Sequence, residues 1–291
     1  MQILESPAPA PASLSVGIVT YRPDLELLQE TAESLAAAVT EAERELLITS
    51  TRVVVVDNTG PGDRPGPREA LNAVRHAVGP ALGKAGVPVE YRGGHGNVGY
   101  GAGHNLALAD ADSDYHLVLN PDVVLDHYAL ARALRFMQTH PDVGMLAPAV
   151  SAPDHSPQYL AKRYPAVLDL ALRGFAPGSV QRLFRARLER YEMRDRAGAE
   201  PVDDVEVASG CFMFLRRALA RSLGGFDPAF FLYFEDFDLC VRLRAQAKIA
   251  LVPGVKIVHH GGFAARKGLR HVAWFGRGAL RFYGKHGWRF V

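Results

Sequence analysis

The chain has 291 residues, enough for one large domain or two small ones, and 48% of them are hydrophobic, as in an ordinary globular protein. A formal net charge of +2 is too small to point to nucleic acid. No apolar run approaches the roughly 18 residues of a membrane span, and no basic and apolar leader opens the chain. The two cysteines, Cys211 and Cys240, lack CxxC spacing, so reduced core thiols in a cytoplasmic protein are expected.

Residues 1–13 end in the run ESPAPAPAS and predict a disordered or extended tail. Leu14–Thr20 (LSVGIVT) reads as a buried strand. Pro23 and Asp24 start a helix through about Val39, with apolar Leu27, Leu28, Leu35 and Val39. Arg52–Val56 (RVVVV) is too continuously apolar to have a wet face, which predicts a parallel sheet covered by helices. That strand ends in Asp57-Asn58. A helix over Arg68–Leu82, a strand over Val87–Tyr91, a glycine-rich turn and a helix to about Ala109 follow. Tyr115–Leu119 is the next strand, ending in Asn120-Pro121-Asp122; a helix over Tyr128–Gln138 and a strand over Val143–Ala147 complete this half. Strand and helix alternate throughout, so a doubly wound α/β domain is expected. Ligands bind such sheets at the carboxyl ends of the strands, where Thr20, Asp57, the glycine turn and Asp122 all lie.

From about Ser151 to Pro201 the periodicity weakens, which predicts helices and loops covering the sheet edge and shaping the acceptor side of a pocket. Within it, Phe184–Arg196 is rich in Arg and Glu and reads as an exposed helix. Val205–Leu215 returns to strand character, broken at Ser209-Gly210. A turn at Leu223–Asp227 precedes the aromatic and acidic run Phe230–Cys240, which opens a helix from Asp236 to about Gln246. Ile249–Val252 and Val255–Val258 read as two short strands divided by Pro253-Gly254, the second ending at His259-His260. In the last segment Arg277, Arg281, Lys285 and Arg289 form a basic stripe opposite Val272, Phe275, Ala279 and Phe282. Either a helix docked by its aromatic face or a contact with an anionic membrane surface fits that pattern.

Four constellations carry chemistry. Glu235, Asp236 and Asp238 put three carboxylates into four residues beside Phe and Tyr. They are either a solvated helix start, where acids favour the dipole, or a general base with an elevated pKa at a pocket mouth. Gly94-His95-Gly96-Asn97-Val98-Gly99 fits G-x-G-x-x-G, yet it sits on the third strand–helix step and lacks the expected downstream acid. Its general content is close approach of backbone N–H groups to phosphate or sugar oxygens. Asn120-Pro121-Asp122 is a turn or one carboxylate of a Mg²⁺ site. Of His259 and His260, strand geometry sends at most one towards a pocket, as a structural residue or a metal ligand.

Taken in order, these segments resemble the family 2 glycosyltransferases of GT-A fold, which are inverting nucleotide-sugar enzymes. The resemblance runs from about Leu14 to Gly262. It is carried by Val19-Thr20-Tyr21, Val55-Val56-Asp57-Asn58, the run Asn97 to Asn105, Leu119-Asn120-Pro121-Asp122, Ser209-Gly210-Cys211-Phe212-Met213, Gly224-Gly225-Phe226-Asp227, Phe231 to Leu239, and His259-His260-Gly261-Gly262. Within the family it is most similar to the rhamnosyltransferase-like branch of bacterial surface-polysaccharide enzymes.

The resemblance implies a GT-A domain over 14–262, with a nucleotide-sugar half at 14–150, a smaller acceptor and catalytic half at 151–262, and a C-terminal amphipathic basic segment at 263–291. It implies Thr20, Tyr21, Asp57, Asn97, Gly99, Gly101 and Asn120 around the donor, with Asp57 accepting from a pyrimidine N–H. Asp122 would be the metal-binding end of the D-x-D motif and His259 a second ligand to Mg²⁺ or Mn²⁺, with His260 as the fallback. Asp236 would be the general base and Glu235 an acceptor-binding residue. The first D-x-D position holds Asn120, which removes one formal charge from the metal site. The implied donor is dTDP-L-rhamnose first and a UDP-sugar second, and the acceptor a glycan, free or lipid-linked. A lipid-linked acceptor would place the protein peripherally on the inner face of the cytoplasmic membrane. The competing activity is a nucleotidyltransferase on a similar sheet, which would need basic residues near the first strand for a triphosphate, where only Arg22 is close.

Overall fold

The computed structural model describes residues 10–196, 198, 200–261 and 269–291. In chain order the first half comprises β1 (Ala12–Thr20), α1 (Leu25–Arg44), β2 (Ile48–Asp57), α2 (Pro67–Lys84), β3 (Val89–Gly93), α3 (Tyr100–Ala109), β4 (Tyr115–Leu119), β5 (Val123–Leu125), α4 (Ala129–Thr139) and β6 (Val143–Ser151). The second half comprises β7 (Pro157–Gln158), β8 (Ala161–Lys162), α5 (Val167–Phe175), α6 (Gly178–Leu183), α7 (Arg185–Tyr191), β9 (Val207–Ala208), β10 (Phe212–Arg216), α8 (Arg217–Ser222), α9 (Glu235–Arg244), β11 (Lys248–His259) and α10 (Leu269–His286).

The sheet runs β3-β2-β1-β4-β10-β6-β11-β5, with β7 on β6 and a separate β8-β9 ribbon. Asp24 caps α1, its Oδ1 accepting from Glu26 and Leu27 N–H at 3.0 and 3.3 Å. The stripe Leu28, Ala32, Leu35 and Val39 then buries α1 against the sheet, as its helical spacing requires. Val53–Val56 are buried on both faces, as the continuous apolar run predicts.

The sheet is mostly parallel, as expected for a doubly wound domain, and β10 and β5 are its antiparallel strands on the main path. The chain returns from its acceptor-side excursion at the carboxyl edge, where β9 ends. From there β10 runs back through the sheet, antiparallel to both β4 and β6, with Phe212 opposite Leu119. A parallel pairing would need another crossover. The two expected strands around Pro253-Gly254 are one strand, β11, parallel to β6 on both sides of a register shift between Val252 and Lys256. The proline and glycine are accommodated by this irregularity rather than ending the strand.

Three smaller expectations also change. The sheet begins at Ala12, inside the expected tail; residues 1–9 lie outside the described residues, as do Gly262 and 263–268. Phe184–Arg196 is not an exposed helix: α7 ends at Tyr191, and Tyr191 and Met193 are buried. Its charges are consumed in pairs, Glu192 with Arg173 at 2.8 Å and with Arg194 at 2.6 Å, so high charge content here marks ion pairing rather than a solvated face. The basic stripe of α10 is also divided. Arg289 lies beyond the helix and Lys285 turns inward, while Phe282 and Tyr283 are buried in an aromatic cluster with Phe230 and Phe234. No helix among the described residues is long and apolar enough to cross a membrane.

α10 meets α9 through ion pairs as well as through the aromatic cluster. Asp238 is fully buried and meets Arg242 at 2.8 Å, Lys285 at 2.7 Å and His286 at 2.8 Å. Burial alone would push its carboxyl up; Lys285, His286 and Arg242 outweigh that and hold it below the usual range. Asp238→Ala leaves the Arg242 and Lys285 cations, with His286 beside them, around an empty site. It is expected to cost about 3 kcal/mol in urea unfolding, and a loss below about 1 kcal/mol would show that α10 docks through its aromatic face alone.

Candidate active site

The carboxyl edge gathers the predicted residues because strand direction places their ends together. β1 ends at Thr20, β2 at Asp57, β3 at Gly93, and β4 leads into Asn120. β11 ends there at His259, and the antiparallel β10 begins there, just after Gly210 and Cys211.

On the first side, Asp57 is fully buried. Its Oδ1 accepts from the hydroxyls of Thr20 at 2.9 Å and Thr59 at 3.1 Å, while Oδ2 has no partner. Burial pushes this carboxyl up, against the pull of the two hydroxyls. Asn58 ties the site to the glycine turn: its Nδ2 donates to the Gly99 carbonyl at 3.0 Å, and its Oδ1 lies 3.1 Å from His95 Nε2. Asn97 Oδ1 accepts from Gly99 N–H at 3.0 Å and shapes the turn from within. Tyr21 is exposed, and its hydroxyl donates to Asp63 at 3.1 Å. Arg22 is bound to the same carboxylate at 2.6 Å, so the one cation near the first strand is already paired.

The two expected donor glycines are filled by protein. Gly99 has φ of +90°, and a Cβ there would collide with the Phe231 carbonyl oxygen; a Cβ on Gly101 would lie 2.8 Å from Phe226 Cβ and 3.3 Å from Glu235 Cβ. Their missing side chains let the turn press on the acidic segment, and Tyr100 N–H donates to Phe231 O at 3.0 Å.

Across the edge, a chain of contacts links the acids to the Asn-Pro-Asp turn. Asp236 Oδ2 accepts from Gly210 N–H at 2.9 Å, and its Oδ1 from Phe237 N–H at 2.8 Å. The Tyr100 hydroxyl lies 2.7 Å from Gly210 O and 2.8 Å from Asn120 Oδ1. Asn120 Nδ2 lies 3.5 Å from His259 Nε2. Glu235, beside Asp236, is 4% exposed, and its Oε2 has no partner. Burial, then the Asp236 charge, pushes Glu235 well above the usual carboxylate range. Asp236 is also pushed up by burial, while the Gly210 and Phe237 amides favour its ionised form. The pair therefore keeps a proton to higher pH than two separate carboxyls, and the amide-bound Asp236 is the member suited to ionise first. The backbone leading into the pair is constrained, with φ of 72° at Tyr233 and 69° at Phe234, a conformation side chains seldom adopt.

Asp122 and His259 face one another, with His259 Nε2 3.6 Å from Asp122 Oδ1. That Oδ1 is buried without a hydrogen-bond partner. His259 Nδ1 lies 3.1 Å from Gln158 Oε1, which orients the ring, while His260 N–H donates to Asp122 O at 3.0 Å. A Cβ on Gly261 would collide with His259 Nε2 and lie 3.1 Å from Asp122 Oδ2, so glycine keeps the space between the two groups clear. An unpartnered carboxylate oxygen, an oriented imidazole and that space fit a divalent cation. Among the described residues no third His, Cys, Asp or Glu converges there, which leaves the other positions to water and a ligand's oxygens.

Several residues of the site carried no readable signal. Tyr100 sits inside a glycine-rich turn, and nothing in the sequence reveals that its hydroxyl bridges Asn120 and Gly210. Gln158 lies in the region without periodicity. Lys162 is 5% exposed, lies over the Phe237 ring at 5.8 Å, and burial, then Arg173, lowers its pKa to about 7. A buried lysine looks like any other lysine in a sequence. Cys211 is buried and its thiol is pushed up to about 12 by that burial, in keeping with an inert core thiol.

The sign of the Glu235 shift sets a stability test. A carboxyl raised in the folded state contributes full stability below its unfolded pKa and loses it as pH rises towards the folded value. Glu235→Gln removes that loss, so the variant is expected to unfold at higher temperature than the wild type at pH 8, with the gain shrinking towards pH 4. An equal or lower melting temperature at pH 8 would mean that Glu235 is ionised at no cost.

Comparison with known proteins bears on the family and the fold. A model of the family "Glycosyltransferase like family 2" matches residues 1–265. The chain is 29% identical over 180 residues to the N-acetylglucosaminyl-diphospho-decaprenol L-rhamnosyltransferase of Mycobacterium tuberculosis, a match covering 56% of each protein. It is 25% identical over 175 residues to the rhamnosyltransferase WbbL of Escherichia coli K12, covering 57% of this chain and 62% of that one. The matches thus span less than two thirds of these relatives. In fold it is similar to GalNAc-T7 solved with UDP, GalNAc and Mn²⁺, with a TM-score of 0.64 at 13% identity over 94% of this chain and 50% of that one. It is also similar to the mannosyltransferase PcManGT of Pyrobaculum calidifontis solved with GDP-Man and Mn²⁺, with a TM-score of 0.57 at 17% identity over 94% and 66%. With a GT-A sheet, its residues gathered at the carboxyl edge, and a family match over almost its whole length, this chain belongs to glycosyltransferase family 2.

Proposed function

We propose that the protein is an inverting glycosyltransferase that moves L-rhamnose from dTDP-L-rhamnose to a hydroxyl of a lipid-linked glycan, with a UDP-sugar as the second candidate donor. The observation that carries this reading is the buried Glu235–Asp236 pair, held by the Gly210 amide and joined through Tyr100 to the Asn120 turn. Two curated relatives are named rhamnosyltransferases, and one is named for a diphospho-decaprenol acceptor, which supports the sugar and the lipid carrier.

In this reading Asp57 Oδ2, buried and unpartnered, accepts from the imide N–H of thymine or uracil, while Thr20 and Thr59 hold the other oxygen. Tyr21 borders the nucleotide from the exposed side. Asn97 and Asn120 line the sugar and diphosphate, and Gly99 and Gly101 act by bringing the acidic segment against that pocket rather than by touching phosphate. Asp122 and His259 would hold a divalent cation, Mg²⁺ or Mn²⁺, which when bound offsets charge on the leaving diphosphate. Asp236 removes the proton from the acceptor hydroxyl. The oxygen bonds to the anomeric carbon on the face opposite the diphosphate, the carbon–oxygen bond to the diphosphate breaks, and the configuration inverts. Glu235, protonated, donates a hydrogen bond to a neighbouring acceptor hydroxyl. The surrounding Phe234, Phe237 and Tyr233 keep water from competing with the acceptor.

Asp236→Asn preserves shape and removes the base. Transfer is expected to fall about a thousandfold, within the usual range for a general base, while a dTDP-dependent thermal shift persists. Full transfer by this variant would remove Asp236 from the mechanism. The donor is tested by thermal unfolding with dTDP, UDP and GDP, each with and without Mn²⁺. A nucleotide at about 100 times its Kd adds about 2.7 kcal/mol. The stabilisation is expected from dTDP or UDP, only with Mn²⁺, and not in Asp122→Ala; stabilisation by GDP alone would overturn the pyrimidine assignment.

A further inference from the structure

The C-terminal helix α10 leaves a cleft of about 510 Å³ between its outer face and the turn Ala229–Leu232. Its walls are of two kinds. Phe231 and Trp274 meet with ring centroids 5.1 Å apart, while Arg277 and Arg281 project from successive turns of the helix. Arg281 is steadied over the Phe230 ring at 5.6 Å. Lys285, one turn further, is held by Asp227 at 2.8 Å and Asp238 at 2.7 Å. Arg277 and Arg281 have no such ion pair among the described residues; the charge of Asp227 reaches Arg281, but that carboxylate is bound to Lys285. Leu232 supplies the aliphatic part of the wall.

Two unpaired guanidiniums suit the oxygens of a phosphate or diphosphate, because their planar donors bind such groups in pairs. Aromatic and aliphatic walls beside them suit an apolar chain attached to that anion. The cleft also adjoins the chemistry: Phe231, in its wall, bonds through its carbonyl to Tyr100, and its strand of chain leads directly into Glu235 and Asp236. The donor diphosphate is assigned elsewhere, at Asp122 and His259, so a second anion site here needs a second anionic substrate.

We infer that this cleft binds the diphosphate of the lipid-linked acceptor, with Arg277 and Arg281 on its oxygens and Trp274, Phe231 and Leu232 along the first apolar units of the lipid. The inference rests on the acceptor class proposed above. Bound so, the lipid leaves along α10, and the glycan on the other side of the diphosphate extends towards Asp236.

The test is calorimetric titration of the full chain with farnesyl diphosphate, inorganic pyrophosphate and phosphatidylglycerol vesicles. It compares the wild type, the double variant Arg277→Gln/Arg281→Gln, and Arg68→Gln, an exposed arginine on α2. Farnesyl diphosphate is expected to bind the wild type and Arg68→Gln alike, more tightly than pyrophosphate, and at least about tenfold more weakly in the double variant. The double variant is expected to keep the wild-type melting temperature and its nucleotide-dependent shift. The inference is overturned by absent farnesyl diphosphate binding, by equal binding in the double variant, or by pyrophosphate binding as tightly, which would leave a plain anion patch. It is also overturned if only vesicles separate the proteins, since the arginines would then read a membrane surface. Loss of the nucleotide shift in the wild type would instead sink the transferase reading, which separates the two failures.

Discussion

The Phe231 carbonyl is the point on which the two halves of the domain depend. It receives the Tyr100 N–H at 3.0 Å, at the place where only a glycine fits at position 99. That contact sets the distance between the glycine turn, in the first half of the chain, and the acidic segment, in the second. Everything that must face across the cleft follows from it. Tyr100, fixed at its backbone, extends its hydroxyl to Gly210 and Asn120; Gly210, fixed by Tyr100, presents its N–H to Asp236. A reaction that joins two substrates needs this kind of shared reference, because small errors in placing one relative to the other lower the rate steeply.

The same constraint explains why the chain tolerates two successive residues at positive φ. Tyr233 and Phe234 turn the backbone so that Glu235 and Asp236 begin a helix directly behind Phe231. The conformation is costly, and packing offsets it: Phe234 lies 5.0 Å from the Phe275 ring and 5.5 Å from Phe282, and the Tyr233 hydroxyl reaches His271 at 2.8 Å. The three acids that follow then have three different fates. Asp238 faces cations and is held ionised as a structural tie. Asp236 faces amides and can take or release a proton. Glu235 faces Asp236, and burial, then that charge, pushes its carboxyl well above the usual range. Sequence proximity decides none of this; the helix separates the three by turning each towards a different part of the domain.

Much of the first half was legible because its signals are local. Continuous valine runs marked buried strands, Asp24 marked a helix start, and the polar residues that end β1, β2 and β4 fell on one edge once the alternation was recognised. Asp57, Asp122 and the Glu235–Asp236 pair stood out as candidates because an acid at a strand end or beside aromatics needs a reason, and the structure gathers them at one edge of the sheet. Strand direction was not legible. Phe212–Leu215 is equally apolar in either sense, and its antiparallel course depends on where the preceding excursion leaves the chain. The mode of action of Gly99 and Gly101 was not legible either, since a glycine that admits a ligand and one that admits a neighbouring loop read alike. Lys162, Gln158 and the Tyr100 bridge depend on contacts between residues tens of positions apart, for which one sequence carries no record.

The C-terminal helix shows how one element can serve stability and recognition without conflict. Its inward face spends Lys285 and His286 on Asp238, and buries Phe282 and Tyr283. Because Asp238 lies on the same helix as Asp236, docking α10 also fixes the segment that carries Asp236, the proposed base. The outward face carries charges of the same sign, at Arg277 and Arg281, that form no ion pair among the described residues. A basic stripe seen in sequence is therefore two populations: cations whose charge is neutralised inside the fold, and cations whose charge remains for a partner. Only the first kind lends the fold stability, and only the second is free to select a substrate.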